Sequence, residues 1–75
     1  MFVSLSQEEL RARLAKNIRH HRGTVNLSQE GLAQLAGVHR TFVSQIERGL
    51  RNLSLDVLLK LANTLQVDPA ELLRP

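Results

Sequence analysis

The chain has no cysteine, tryptophan or tyrosine, only two phenylalanines and two prolines, and no apolar run long enough to span a bilayer. Without cysteine, disulfides and thiolate-held metals are excluded as staples. With hydrophobic residues at 43 % but almost no aromatics, leucine, valine, isoleucine and alanine must build the interior, which favours close-packed helices over a sheet. The opening MFVSL lacks the basic stretch and long apolar centre of a signal peptide, so a soluble cytoplasmic protein with no membrane association is expected. Catalytic equipment is missing too. There is no nucleophile paired with a base, no phosphate-cradling glycine loop, and too little chain to enclose a substrate pocket of about 300 Å³ or more. The reading is therefore not an enzyme, with no cofactor and no small-molecule substrate. His20 and His21 are neighbours, about 100° apart on a helix, and no carboxylate cluster joins them, so no metal site is expected.

What is present is an uneven charge. Residues 1–51 carry eight Lys or Arg against four acids, a net +4, whereas residues 52–75 carry two against three, a net −1. A basic half is what a nucleic-acid footprint requires, although solvation of a small protein accounts for charge alone equally well.

Helical patterning runs through the 75 residues as one unit without repeats or linkers. Ser6 and Glu9 fit a capping box, with Leu5 and Leu10 as the hydrophobic staple around it. Leu10, Leu14 and Ile18 then recur every fourth residue to about His21–Gly23, leaving Arg11, Arg13, Lys16 and Arg19 on the remaining faces. Asn26 tolerates a left-handed turn before Ser28, the N-cap of a second helix over about 29–36. Leu32, Leu35 and Ala36 form its inward stripe, and Gly31 is a weak helix former within it, costing about 1 kcal/mol relative to alanine. Gly37 suits a left-handed turn, followed by a third helix over about 39–48 with Val38, Val43 and Ile46 inward and Gly49 at its end. Ser54 caps a fourth helix whose Leu55, Leu58, Leu59, Ala62 and Leu65 make a broad apolar face. Asp68, Pro69 and Glu71 open a short fifth, with Asp68 as cap and Glu71 completing a capping box. The expected fold is all-α, a compact bundle of five helices.

The stretch from Ser28 to Asn52 organises the rest. Its two helices meet at Gly37 over a short turn, with Ala33 small enough to sit at their crossing. The second of them carries His39, Arg40, Thr41, Ser44 and Gln45 between its apolar positions, all side chains that burial would penalise. Something polar must face them.

The run LSQEGLAQLAGVHRTFVSQIERG, with the ending LANTLQVDPAELL, resembles the helix-turn-helix family of lambda-type phage repressors and Cro proteins, over about residues 14–73. Within it, HRTFVSQIERGLRN is most similar to the controller proteins of restriction-modification systems. Gly31, Asn26 and Phe42 depart from that pattern, and Phe42 lacks the hydroxyl of the tyrosine frequent there. The resemblance implies a recognition helix in the major groove, with His39, Arg40, Thr41, Ser44 and Gln45 reading bases. Arg40 suits a bidentate contact to guanine or a phosphate, Thr41 a thymine methyl or a phosphate, and Gln45 an adenine. Ser28, Gln29, Phe42, Arg48, Arg51 and Asn52 would serve the backbone, with Gln29 at a helix N-terminus that favours an anion. Glu47 would repel phosphate unless neutralised, and the resemblance supplies Arg22 as its partner.

The same resemblance implies a homodimer on a palindromic DNA operator, controlling its own gene and that of an endonuclease. Leu65, Val67, Pro69, Leu72 and Leu73 exceed what so short a last helix buries, so the dimerisation region is placed at about 65–73. An activating role needs contact with RNA polymerase. An antitoxin or other protein-interaction module, a phage-type repressor and a nonspecific architectural protein remain alternatives.

Overall fold

The computed structural model describes residues 4–75, so the first three residues of the apolar start lie outside it. Five elements follow in order: α1 (Gln7–Thr24), α2 (Gln29–Ala36), α3 (Arg40–Glu47), α4 (Leu55–Leu65) and a 3₁₀ turn (Pro69–Leu73). The fifth helix is thus a 3₁₀ turn, and the architecture is four α-helices plus that turn.

Local chemistry sets most boundaries. At the start of α1 the Ser6 hydroxyl accepts from the Glu9 amide at 3.0 Å and the Glu9 carboxylate accepts from the Ser6 amide at 3.2 Å, closing the capping box. Leu5 and Leu10 beside it stay exposed. Ser28 accepts from the Gly31 amide at 2.9 Å, and Ser54 from the Val57 amide at 3.1 Å. Beyond α1, Asn26 takes a left-handed φ of 56°, letting the Leu27 amide return to the Arg22 carbonyl at 3.1 Å. Gly37, at φ 73°, ends α2 while the Val38 amide closes on the Ala33 carbonyl at 3.0 Å. Asp68 caps the 3₁₀ turn through the Ala70 amide at 2.8 Å. Glu71 does not close a box there; it pairs with Arg74 at 2.9 Å.

One core joins all five elements: Leu14 and Ile18 of α1, Leu32, Ala33 and Ala36 of α2, Val43 and Ile46 of α3, Leu58, Leu61, Ala62 and Leu65 of α4, and Leu72 of the turn. The α2 helix packs on α3 and α4, while α1 packs on α3 and the 3₁₀ turn. Asn17 of α1 donates to the Leu72 and Arg74 carbonyls at 3.1 and 2.8 Å, satisfying backbone groups that the short turn leaves open.

Several apolar positions face the other way from the sequence expectation. Leu35 is 67 % exposed, Leu55 83 % and Leu59 49 %, whereas Leu61, absent from the expected stripe, is fully buried. The inward face of α4 is therefore 58, 61, 62 and 65, rotated from the expected one, because α2 and the 3₁₀ turn cover that side. Leu65 and Leu72 are also interior, with Leu72 at 0 % exposure, so neither offers surface to a second chain; Val67, Pro69 and Leu73 are only half-buried. The turn buries Leu72 against α1, which the length argument did not allow for.

Candidate nucleic-acid interface

Helix α3 has one carboxylate, and its placement decides what the helix can approach. Glu47 is 4 % exposed. Arg22 of α1 grips it with two bonds, Nε to Oε2 at 2.7 Å and Nη2 to Oε1 at 2.9 Å, and a third guanidinium donor reaches the Leu27 carbonyl at 3.0 Å. Gln29, the first residue of α2, adds Nε2 to Oε1 at 3.0 Å. Such a fork is the strong form of a charge-assisted bond. The Glu47 hydrogen bond raises the Arg22 pKa, burial opposes it, and the Glu47 charge adds to the rise, so the guanidinium stays charged at every ordinary pH. Arg19 also donates to the Glu47 backbone carbonyl, placing a cation at the negative end of α3. The brace thus ties α1, α2 and α3 together and neutralises the only carboxylate of α3.

With Glu47 turned inward, the opposite side of α3 is polar and open. Arg40 and Thr41 are exposed, Ser44 and Gln45 partly so. Gln29, His39, Arg40, Thr41 and Ser44 line one shallow depression of about 280 Å³, which brings the start of α2 beside the start of α3. His39 lies just ahead of the helix as its N-cap, with Nδ1 accepting from the Thr41 amide at 3.1 Å. The helix accordingly runs 40–47 rather than 39–48, and Arg48 is its C-cap.

The rim is built from side chains that hold one another. Arg51 crosses back to donate to Gln45 Oε1 at 2.8 Å, and its guanidinium lies over the Phe42 ring at 4.6 Å, a cation–π stack that needs no tyrosine hydroxyl. Asn52 accepts from Arg11 of α1 at 2.8 Å, which fixes the loop leaving α3. Ser28 is committed to capping α2. Gln29 is divided: one amide hydrogen serves Glu47 and the other remains. Among the described residues no group of three or more His, Cys, Asp or Glu is placed to hold a metal, and the His20 and His21 rings meet edge-on at 5.1 Å. No helix among the described residues is long and apolar enough to cross a membrane.

A helix-turn-helix family model matches residues 18–72, from the middle of α1 through the 3₁₀ turn. The chain belongs to the helix-turn-helix family. As a helix-turn-helix regulator it is 45 % identical over 60 residues to control protein C.SmaI of Serratia marcescens, covering 80 % of this chain and 71 % of that protein. It is 52 % identical over 48 residues to control protein C.BamHI of Bacillus amyloliquefaciens, covering 64 % of this chain but only 59 % of that relative's length. Its fold matches the crystal structure of the restriction-modification controller protein C.AhdI from Aeromonas hydrophila with a TM-score of 0.80 and 44 % identity, over 83 % of this chain and 94 % of that one. The matched span takes in α2 and α3 entire, with the short turn at Gly37 between them.

Two contributors escaped the sequence reading, Arg19 and Arg11. Their partners lie 28 and 41 residues away, and nothing in the first helix's pattern distinguishes them from solvated charge. A cation spaced along α1 toward the α3 terminus acquires meaning only once the helices are packed.

Proposed function

We propose that the chain binds a palindromic double-stranded DNA operator as a homodimer and regulates transcription as a restriction-modification controller does, including that of its own operon. The observation that carries this reading is the polar edge of α3: Arg40, Thr41, Ser44 and Gln45 exposed or partly exposed behind the His39 cap, with the helix's one carboxylate buried against Arg22. The open edge of hydrogen-bonding side chains, set in the basic half of the chain, favours duplex DNA over the protein partner of an antitoxin-like module. In this reading Gln29's free amide hydrogen, Arg48, Arg51 and Asn52 hold phosphates on either side of the reading edge, and Phe42 supports Arg51 from beneath. Arg40 reads a base from the first turn of α3, the part of a recognition helix that reaches base edges.

One recognition helix contacts too few bases to select a site in a genome, so a two-fold dimer spanning half-sites about 34–36 Å apart supplies the rest. Leu55 and Leu59, four residues apart on the exposed side of α4, offer the apolar surface, flanked by Leu10, Leu53 and Leu73 in the groove at its N-terminal end. Activation would add a contact with RNA polymerase, and the chain would act in the cytoplasm.

A gel-shift titration in salt with a selected palindrome tests the reading. Affinity should fall steeply between about 50 and 200 mM salt while preference over competitor DNA persists. Absence of salt-sensitive binding to any duplex pool would falsify it.

A further inference from the structure

The loop that leaves α3 has little backbone bonding to hold it. After the Leu50 amide returns to the Gln45 carbonyl at 3.0 Å, the amides of Arg51, Asn52 and Leu53 donate to no backbone carbonyl, and regular bonding resumes only where the Ser54 carbonyl accepts from the Leu58 amide at 3.0 Å. Two side-chain clasps span this gap. Arg51 is held by Gln45 and Phe42, both on α3 itself. Asn52 is held from outside, by Arg11 of α1, whose Nη1 donates to Asn52 Oδ1 at 2.8 Å. A bond at Oδ1 restrains the whole planar amide, so the Nδ2 hydrogens of Asn52 are aimed as well. The other acceptor of Arg11 is Gln7 Oε1, one turn earlier at 3.4 Å, and among the described residues no carboxylate lies within ion-pair distance of it. Its guanidinium is thus given to two neutral amides.

Resting on the DNA-binding reading above, in which Asn52 meets a phosphate, we infer that Arg11 is a positioning residue for operator binding: it acts by holding Asn52, and the loop around it, in the arrangement that meets the duplex, and not through a contact of its own. The first helix is already tied to α3 through the Glu47 brace, so Arg11 transfers that fixed geometry to the one part of the rim that the backbone leaves loose. Without it, Asn52 is ordered only at the moment of binding, and the cost of that ordering is taken from affinity. The clasp also closes one end of the groove lined by Leu10 and Leu55, next to the face proposed for pairing, so association is measured alongside binding.

Arg11→Ala, Asn52→Ala and the double variant test this in gel shifts with the tightest duplex selected from a random pool. Alanine is the best helix former, so Arg11→Ala should keep α1 intact, with a thermal midpoint within a few degrees of the parent and parental sedimentation. Each single change should weaken binding about tenfold, and the double variant should lose no more than about twofold beyond either. The slope of log affinity against log salt should stay that of the parent. Losses that multiply to about a hundredfold, with a slope shallower by about one, make Arg11 a phosphate contact in its own right and overturn the inference. Parental affinity in Arg11→Ala, a large fall in its midpoint or a shift to monomer overturns it too, and each of these leaves the DNA-binding reading standing. Failure of selection with the parent protein to yield any preferred duplex overturns both.

Discussion

At the scale of single residues, Glu47 is the position from which the interface follows. A carboxylate so deeply placed is tolerable only because Arg22 and Gln29 together give it three hydrogen bonds. Arg22→Ala would leave that charge buried with one neutral donor. The expected loss is about 3 kcal/mol in urea unfolding, the low end for a buried pair because Arg22 keeps some solvent. The raised Arg22 pKa fixes the sign on the alkaline side: the guanidinium's contribution is present at neutral pH and disappears only as strong alkali deprotonates it. Gln29→Ala removes the weaker third bond and should cost about 1 kcal/mol of stability. It should also weaken all duplexes to a similar degree in gel shifts, since a phosphate contact carries no sequence information. A change of preferred sequence in Gln29→Ala would assign that side chain to a base instead. The partnership of Arg22 with Glu47 follows from family resemblance and not from spacing, because 25 residues separate them. The Gln45–Arg51 and Arg11–Asn52 bonds were not legible at all, since side-chain direction depends on how the loop after α3 leaves the helix.

Among the elements, boundaries were far more legible than faces. Ser6, Ser28, Ser54, Asp68, Asn26 and Gly37 act on amides and carbonyls within a few residues, so their chemistry is written locally. Gly31 also finds a local reason: a Cβ there would lie 3.2 Å from the Ser28 hydroxyl that caps the helix. Faces depend on what covers them, and an aliphatic-rich helix such as α4 has leucines on more than one side. That is why Leu61 was overlooked while Leu55 and Leu59 were assigned inward. Gln66 was overlooked as well, for glutamine carries no signal for the left-handed conformation it adopts at φ 62° where α4 ends. Its counterpart Gly37, at φ 73°, has the residue suited to that conformation. The two turns therefore predict opposite responses. Gly37→Ala should destabilise by about 1–2 kcal/mol, and Gln66→Gly should stabilise by up to about 1 kcal/mol. In thermal melts each kcal/mol corresponds to a shift of about 4–8 °C for a domain this small. Movement of both midpoints in the same direction would mean that the left-handed strain is not what governs these turns.

For the whole molecule, the distribution of apolar surface separates holding the fold together from pairing two copies of it. Leu65 and Leu72, which sequence alone assigned to pairing, are interior, whereas Leu55 and Leu59 on the outer side of α4 are exposed and carry the proposed interface. Leu72→Glu would therefore place a carboxylate among α1, α4 and the 3₁₀ turn and unfold the monomer, losing helical circular dichroism along with every other property. Leu59→Glu adds a charge where the side chain is already half in water, so its thermal midpoint should stay within a few degrees of the parent. The same change should put two like charges near each other across a two-fold interface. Sedimentation should then find a folded monomer, and gel shifts should find weak binding to a full palindrome with binding to a single half-site unchanged. An unaltered dimer for both Leu55→Glu and Leu59→Glu would move the interface off α4, to the half-buried Val67, Pro69 and Leu73 or elsewhere. Because the proposed reading edge lies on α3 and the brace through Glu47 joins it to α1 and α2, loss of the proposed dimer in this way should leave base preference within each half-site intact while removing the requirement for a fixed spacing between them.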